Sequence, residues 1–235
     1  AKNNLALLYY NSEIVDQDLG TYFNLLCEAA TSGLSLSTYS IADFYFGIDT
    51  DTDKNRGFEW MMKASIQGNA FAQDFLGMIY SYGEGVTLDY KEAFKWFKKS
   101  AEQGNADAQN SLGWMYGTGN GVNLDYKEAV KWYRRSAEQG DDWGQFNLAL
   151  MYLDGNGVSS DYIVALSWYK KAANQGHISA INNLGLHYST GLNFGDSKGN
   201  VITSDYIKAV EWLEKGIEFG CSSCASMLYE IYIEK

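Results

Sequence analysis

The sequence has no proline and only three cysteines in 235 residues. Proline interrupts helices, because its ring removes a backbone donor and collides with the preceding turn. Its absence therefore favours a chain made of helices and tight glycine turns. Three cysteines are too few for the disulfide framework of a small secreted domain.

Long apolar runs are also absent. No stretch approaches about 18 uninterrupted apolar residues, so the sequence predicts no membrane-spanning helix. The sequence shows no basic and apolar leader, so no signal peptide indicates the compartment. The first residue is Ala1 and not methionine, which favours a processed N-terminus. We expect an exported or periplasmic protein, with a cytoplasmic location as the alternative.

Positive charge is scarce, because 18 Lys and Arg stand against 29 Asp and Glu, for a net charge of −11. A protein that binds nucleic acid normally presents a basic face. Here the basic residues mostly stand beside acidic ones, so we expect neither nucleic acid nor an anionic membrane as a partner. The sequence has only two histidines and shows no coherent set of nucleophile, base and orienting residue, so it predicts no active site. No catalytic residue, cofactor or metal is therefore predicted.

What the chain does have is repetition. VTLDYKEAFKWFKKSAEQGNA (residues 86–106) returns as VNLDYKEAVKWYRRSAEQGDD (residues 122–142), 36 positions later. Catalytic sites are rarely duplicated in this way, whereas stacked modules are. We therefore predict a single array over residues 1–235. Its units are 1–34, 35–69, 70–105, 106–141, 142–177 and 178–221, closed by a helix over 222–235.

Each unit shows two helical patterns. In the fourth unit, Ala108, Leu112 and Met115 recur at the spacing of a buried helical stripe. The loop GTGNGV follows, and the second helix opens at Asp125, with Glu128 completing a capping pair worth about 1 kcal/mol. The same capping position is held in the other units by Asp18, Asp53, Asp89, Asp161 and Asp205.

The segment LGWMYGTGNGVNLDYKEAVKWYRRSAEQGD resembles the Sel-one-like repeat (SLR), a relative of the tetratricopeptide repeat. The first two units resemble it less, because they lack the Gly-x-Gly-Val loop. The resemblance implies an all-α fold, a right-handed α/α solenoid of helix-turn-helix repeats with a groove lined by the first helices. It also implies adaptor or scaffold work in a bacterial envelope, effector–immunity or host-interaction setting, without catalysis.

Comparison of the units separates scaffold from candidate site. One register of the second helix is tryptophan in five units, Trp60, Trp96, Trp132, Trp168 and Trp212, which predicts core. Trp114 and Trp143 stand at variable registers, which predicts contact with a partner, unless they fill gaps between repeats. Carried over from the tetratricopeptide geometry, the groove registers are Phe71, Asp74, Met78, Tyr82, Asp107, Asn110, Trp114, Thr118, Trp143, Phe146, Leu150, Asp154, Asn182 and Leu186.

Three other features are candidates for chemistry. The CSSC pair, Cys221 and Cys224, has redox spacing, but packing of small residues is our preferred interpretation. The acidic run 49–59 lacks the glycine and the bidentate glutamate of a calcium loop. The Gly-x-Gly loops follow helices, so they are not nucleotide loops. Residues 191–204 form a long loop that contains an insertion of eight residues, which is either functional or a tolerated surface loop.

The resulting prediction is a non-enzymatic scaffold that binds a protein or peptide partner in its groove and is itself a monomer. Two alternatives stay open at this stage. One is a redox or metal-dependent activity at Cys221 and Cys224. The other is an architectural role in which the array assembles with itself.

Overall fold

The computed structural model describes residues 51–191 and 204–234. Every regular element in these stretches is an α-helix, which confirms the all-α prediction for this part of the chain. The helices are α1 Asp51–Ile66, α2 Ala70–Tyr82, α3 Tyr90–Glu102, α4 Ala106–Thr118, α5 Tyr126–Glu138, α6 Asp142–Asp154, α7 Tyr162–Asn174, α8 Ile178–Thr190, α9 Tyr206–Glu218 and α10 Ser222–Glu234. We call the even-numbered helices first helices and the odd-numbered ones second helices.

Most second helices begin at the predicted aspartates. Asp89 and Asp125 accept hydrogen bonds from the backbone N–H groups two and three residues later. Asp161 and Asp205 accept from the N–H three residues later. Such caps satisfy donors that the helix itself leaves free. α1 is the exception, because it begins at Asp51. Asp53 is therefore its third residue, and the prediction that Asp53 caps the helix is wrong.

The chain divides into two compact units, Ala1–Ala108 and Gln109–Lys235. In the described part of the first unit, α2 packs against both α1 and α3. Leu76 and Trp96 belong to one buried cluster there. Gly77 allows the close approach of α3, because a Cβ at this position would lie 2.5 Å from the Phe97 ring.

The second unit repeats this arrangement along consecutive helices. Leu112, Leu148 and Leu184 occupy the same register of α4, α6 and α8, and all three are fully buried. Gly113 and Gly185 face Tyr133 and Leu213 as closely as Gly77 faces Phe97. Two of these helix pairs are also joined by a glutamine bond: Gln139 donates to Gln109 and Gln175 donates to Gln145, at 2.7 and 3.1 Å.

Every described loop between a first helix and its second helix closes in the same way. The N–H of the capping aspartate donates to a tyrosine carbonyl near the end of the first helix. These bonds join Asp89 to Tyr80, Asp125 to Tyr116, Asp161 to Tyr152 and Asp205 to Tyr188, at 2.8–2.9 Å. The fourth bond persists although its loop contains the eight-residue insertion. Residues 192–203 of that loop, and residues 1–50, lie outside the described residues.

Candidate functional site

The residues predicted to line a groove differ in exposure. In the first unit Phe71 and Tyr82 are 58% and 71% exposed, Asp107 is exposed, and Met78 is half-buried. Asp74 is only 7% exposed, so it offers little surface to a partner. In the second unit the nine predicted residues are exposed or half-buried. We call them the first-helix surface: Asn110, Trp114, Thr118, Trp143, Phe146, Leu150, Asp154, Asn182 and Leu186.

Three polar members of the first-helix surface form hydrogen bonds within the protein. Asn147 on α6 donates to the side-chain oxygen of Asn110 on α4 at 2.8 Å. The Thr118 hydroxyl donates to the Trp114 carbonyl at 2.9 Å, one turn back along the same helix. Asn182 on α8 donates to Ser223 on α10 at 2.9 Å. The bonds of Asn110 and Asn182 thus join neighbouring first helices, whereas the Thr118 bond stays within α4.

The aromatic centre of the first-helix surface lies on α6. Trp143 and Phe146 meet at 6.4 Å between ring centroids, edge to face. The imidazole of His177 lies 4.6 Å from each ring, stacked on Phe146 and edge-on to Trp143. Trp143 remains 55% exposed, while Phe146 is partly buried. One side of the Trp143 ring therefore packs against Phe146 and His177, and much of the rest is open to solvent.

Sequence reasoning missed His177, although its register offered a signal. The first helices are capped by Asn69, Asn105 and Asp141, and His177 occupies the same position before α8. Its Nδ1 accepts the N–H of Ala180 at 3.2 Å. The proton of the neutral ring must therefore be on Nε2, which is buried without a hydrogen-bond partner among the described residues.

Burial lowers the pKa of His177 below its ordinary value of about 6.5, and the carboxylates of Asp142 and Asp141 oppose this only in part. The folded protein therefore keeps the ring neutral at pH values where the unfolded chain has already bound a proton. Protonation would also remove the Nδ1 acceptor that caps α8. The stability that His177 contributes is present above about pH 6.5 and is lost as the pH falls.

We expect the variant His177→Asn, which retains the cap found in other repeats, to lose this pH dependence. The unfolding free energy of wild type minus that of the variant should fall between pH 7.5 and pH 5. Its slope should be at most about 1.4 kcal/mol per pH unit, the value for one proton. Chemical denaturation at several pH values measures it. His187 is also buried, and burial lowers its pKa. Because His187 is present in both proteins, its contribution cancels in the difference between the two unfolding free energies. Unfolding free energies of wild type and His177→Asn that change equally with pH would contradict this role of His177.

The five repeated tryptophans serve the scaffold. Trp96 and Trp132 are buried, and the other three are half-buried. Each has a lysine or arginine three residues later whose charge lies over its ring. The distances to the ring centroid are 4.6 Å for Lys63, 4.1 Å for Lys99, 4.6 Å for Arg135, 3.6 Å for Lys171 and 5.0 Å for Lys215. This regular cation–π pairing is visible in the sequence as Trp-x-x-Lys/Arg.

Cys221 and Cys224 are joined by a disulfide, which goes beyond the packing of small residues that the sequence favoured. The reason lies in the repeat, because Cys221 occupies the capping register before α10 and its sulfur accepts the N–H of Cys224 at 3.1 Å. The caps before the other first helices contact the residue three positions later in the same way. Cys221 is 5% exposed and Cys224 is fully buried, so neither sulfur is open to exchange with a redox partner.

The described residues offer little for other chemistry. They contain no group of three or more His, Cys, Asp or Glu side chains placed to hold a metal ion. None of the helices they form has the length and apolar character to cross a membrane. An apolar cavity of about 460 Å³ lies between α9 and α10, lined by Tyr206, Ile207, Val210, Glu211, Ile231 and Tyr232. Val210 has the register of Val130 and Leu166, which are buried, so this cavity is an uncovered part of the scaffold.

The repeat pattern and the fold match known proteins. The Sel1 repeat family model matches residues 1–34, 36–69, 70–105, 106–141, 144–177 and 178–218. The structure resembles c5321, a protective antigen present in uropathogenic Escherichia coli strains that displays an SLR fold. The TM-score is 0.81 and the identity 35%, over 98% of this chain and 48% of that one. The chain thus spans about half the length of that relative.

Other solved structures share the fold. A Sel1 repeat protein from Oxalobacter formigenes has a TM-score of 0.78 and 29% identity, over 92% of this chain and 86% of that one. The immunity protein PA5088 from Pseudomonas aeruginosa has a TM-score of 0.54 and 16% identity, over 94% and 81%, which shows the fold alone. No curated protein matches the chain. Sel1 repeat proteins are generally scaffolds for protein interaction. From six matched repeats and consecutively packed helix pairs, we conclude that this chain belongs to the Sel1 repeat family and has its α/α solenoid fold.

Proposed function

We propose that the protein is a non-enzymatic scaffold that binds a partner protein or peptide on the first-helix surface. The observation that carries this proposal is Trp143, a large aromatic side chain that is 55% exposed although its scaffold neighbours are buried. The equivalent positions in other units are Phe71, Asp107 and Ser179. A residue that varies between repeats while the core registers stay constant is not required by the fold.

The surroundings of Trp143 suit a binding hot spot. Phe146 and His177 hold the indole in one orientation, so little side-chain entropy is lost when a partner covers it. Leu150 lies one turn beyond Phe146 on α6, and Trp114 and Leu186 add apolar surface on α4 and α8. Tryptophan in a partly enclosed apolar setting is the residue type that most often dominates binding energy.

The alternative of a redox activity at Cys221 and Cys224 requires a sulfur that a redox partner can reach, and both cysteines are buried. We propose a bacterial envelope, immunity or host-interaction setting, since a protective antigen is among the relatives. An exported or periplasmic location and a monomeric state remain predictions from the sequence.

We expect Trp143→Ala to lose the partner. Alanine at a hot spot costs about 2 kcal/mol, or about 30-fold in affinity. The matched control is Ile163→Ala on α7, whose side chain is 51% exposed but lies on a second helix. Proteins captured from the native host by wild type and by each variant would be quantified by mass spectrometry. A partner retained by the control and lost by Trp143→Ala supports the proposal.

Stability must be followed in parallel, because Trp143 also touches His177 and Phe146. Removal of the half-exposed Trp143 side chain should lower the unfolding free energy by about 1 kcal/mol at most. Equal capture by wild type and Trp143→Ala would contradict the proposed surface. A severe loss of stability would show instead that Trp143 belongs to the scaffold.

A further inference from the structure

Charge is divided between the two helix types. Every lysine and arginine of residues 51–191 and 204–234 lies on a second helix, and α2, α4, α6, α8 and α10 contain none. The first helices of the second unit nevertheless carry carboxylates: Asp142, Asp154, Glu230 and Glu234. A partner carboxylate would therefore find no cation on these helices, whereas a partner cation would find several anions.

The carboxylates frame the aromatic centre on α6. Trp143, Phe146, Leu150 and Asp154 are spaced three or four residues apart and share one face of the helix. Asp142 precedes this row and Asp154 ends it. The two carboxylates are twelve positions apart, which corresponds to about 18 Å of helix. An extended segment of about five residues spans that distance.

Asp154 stands where a helix disfavours it. The carbonyl groups at a helix C-terminus carry partial negative charge, so a cation in the last turn stabilises a helix and an anion destabilises it. Each described second helix has a lysine or arginine in its last turn. α6 has none, and its last residue is the exposed Asp154. No salt bridge to Asp154 is present among the described residues.

The protein already shows how it binds cations next to tryptophan. On second helices, a lysine or arginine three residues after each tryptophan lies over the indole. Trp143 has Phe146 at that spacing, so its own helix cannot supply the cation. No lysine or arginine of the described residues lies over its ring. Its exposed face is thus open to a cation from outside.

We infer that the partner segment is cationic, an arginine- or lysine-bearing peptide lying along α6. One of its cations lies over Trp143 beside Asp142, and another pairs with Asp154 at the end of the helix. Apolar side chains between them cover Phe146 and Leu150. This inference rests on the proposed function, because it names the chemistry of the partner on the same surface.

A peptide library tests the charge without knowledge of the natural partner. Random 12-residue peptides displayed on phage are selected on the full chain and sorted by whether they also bind Trp143→Ala. The Trp143-dependent peptides should have net positive charge, with lysine or arginine spaced about five residues apart. Asp154→Asn should weaken their binding about tenfold, as expected for loss of one charge-assisted bond.

The control Glu138→Gln makes the same change in net charge on an exposed part of α5 and should leave binding within about twofold, because a distant exposed charge is screened. Asp154→Asn should also keep or raise the melting temperature, since an unfavourable charge leaves the end of α6. A structural role for Asp154 would lower it.

Two other outcomes separate the inference from the proposed function. Trp143-dependent peptides that are neutral or acidic, or that bind Asp154→Asn as well as Glu138→Gln, would overturn the cationic partner and leave partner binding intact. A selection that yields no peptide able to distinguish wild type from Trp143→Ala would overturn both.

Discussion

Alanine at Gly157 is expected to lower the unfolding free energy by about 2–5 kcal/mol, which sums overpacking and left-handed strain. Gly157 has φ +71°, a conformation that costs other residues energy. A Cβ there would also lie 2.2 Å from the carbonyl oxygen of Tyr126 and 2.7 Å from the backbone nitrogen of Lys127. Backbone atoms at the start of α5 cannot move aside as a flexible side chain could.

Gly85 is the matched control for this substitution. It occupies the same loop register and has φ +72°, but a Cβ there would meet no atom within 4 Å. Gly85→Ala should therefore cost only the backbone strain, about 1–2 kcal/mol. Thermal and urea unfolding of both variants measure the difference. Equal losses would mean that the loop of residues 155–161 does not pack on α5 as the structure shows.

Leu184→Ala is expected to cost about 2–5 kcal/mol, the range for a leucine removed from a core. Leu184 is fully buried in a cluster with Tyr169, Ile181 and Leu213. Leu186→Ala is the control two residues later on α8, where the side chain is 45% exposed. A substitution at that surface position should stay within about 0.5 kcal/mol.

The Leu184 and Leu186 variants together test whether repeat registers separate scaffold from surface. Denaturant unfolding gives both unfolding free energies, and binding of a Trp143-dependent peptide gives the second readout. We expect Leu184→Ala to lose stability, and Leu186→Ala to lose affinity only. Comparable losses of stability in both would contradict the division.

Much of the fold follows from local rules that the sequence displays. Asp125 and Asp161 cap second helices because an aspartate at the N-cap position can accept the free N–H of the residue three positions later. Leu112 and Leu148 recur at one register, and both are buried, because stacking repeats bury the same stripe each time. Exposure at Trp143 was predictable for the converse reason, since its register is not constant between the units.

The contacts that were not predicted depend on distances between residues far apart in sequence. His177 meets Trp143 and Phe146 across 31–34 positions, and no helical periodicity encodes that meeting. The burial of Asp74 likewise follows from how α2 lies between its neighbours. The Cys221–Cys224 bond could have been predicted, because Cys221 stands at the capping register, which places its sulfur next to that of Cys224.

The aspartate-to-tyrosine bond that closes each loop has a practical consequence. Between Tyr188 and Asp205 the chain carries eight residues more than the equivalent loops, yet the closing bond is 2.8 Å long, against 2.9 Å in the other three. Whatever lies between these two anchors does not alter the helices on either side. The site is thus a natural graft point, where a tag, an epitope or a second recognition sequence could be spliced into the protein without redesign of its frame.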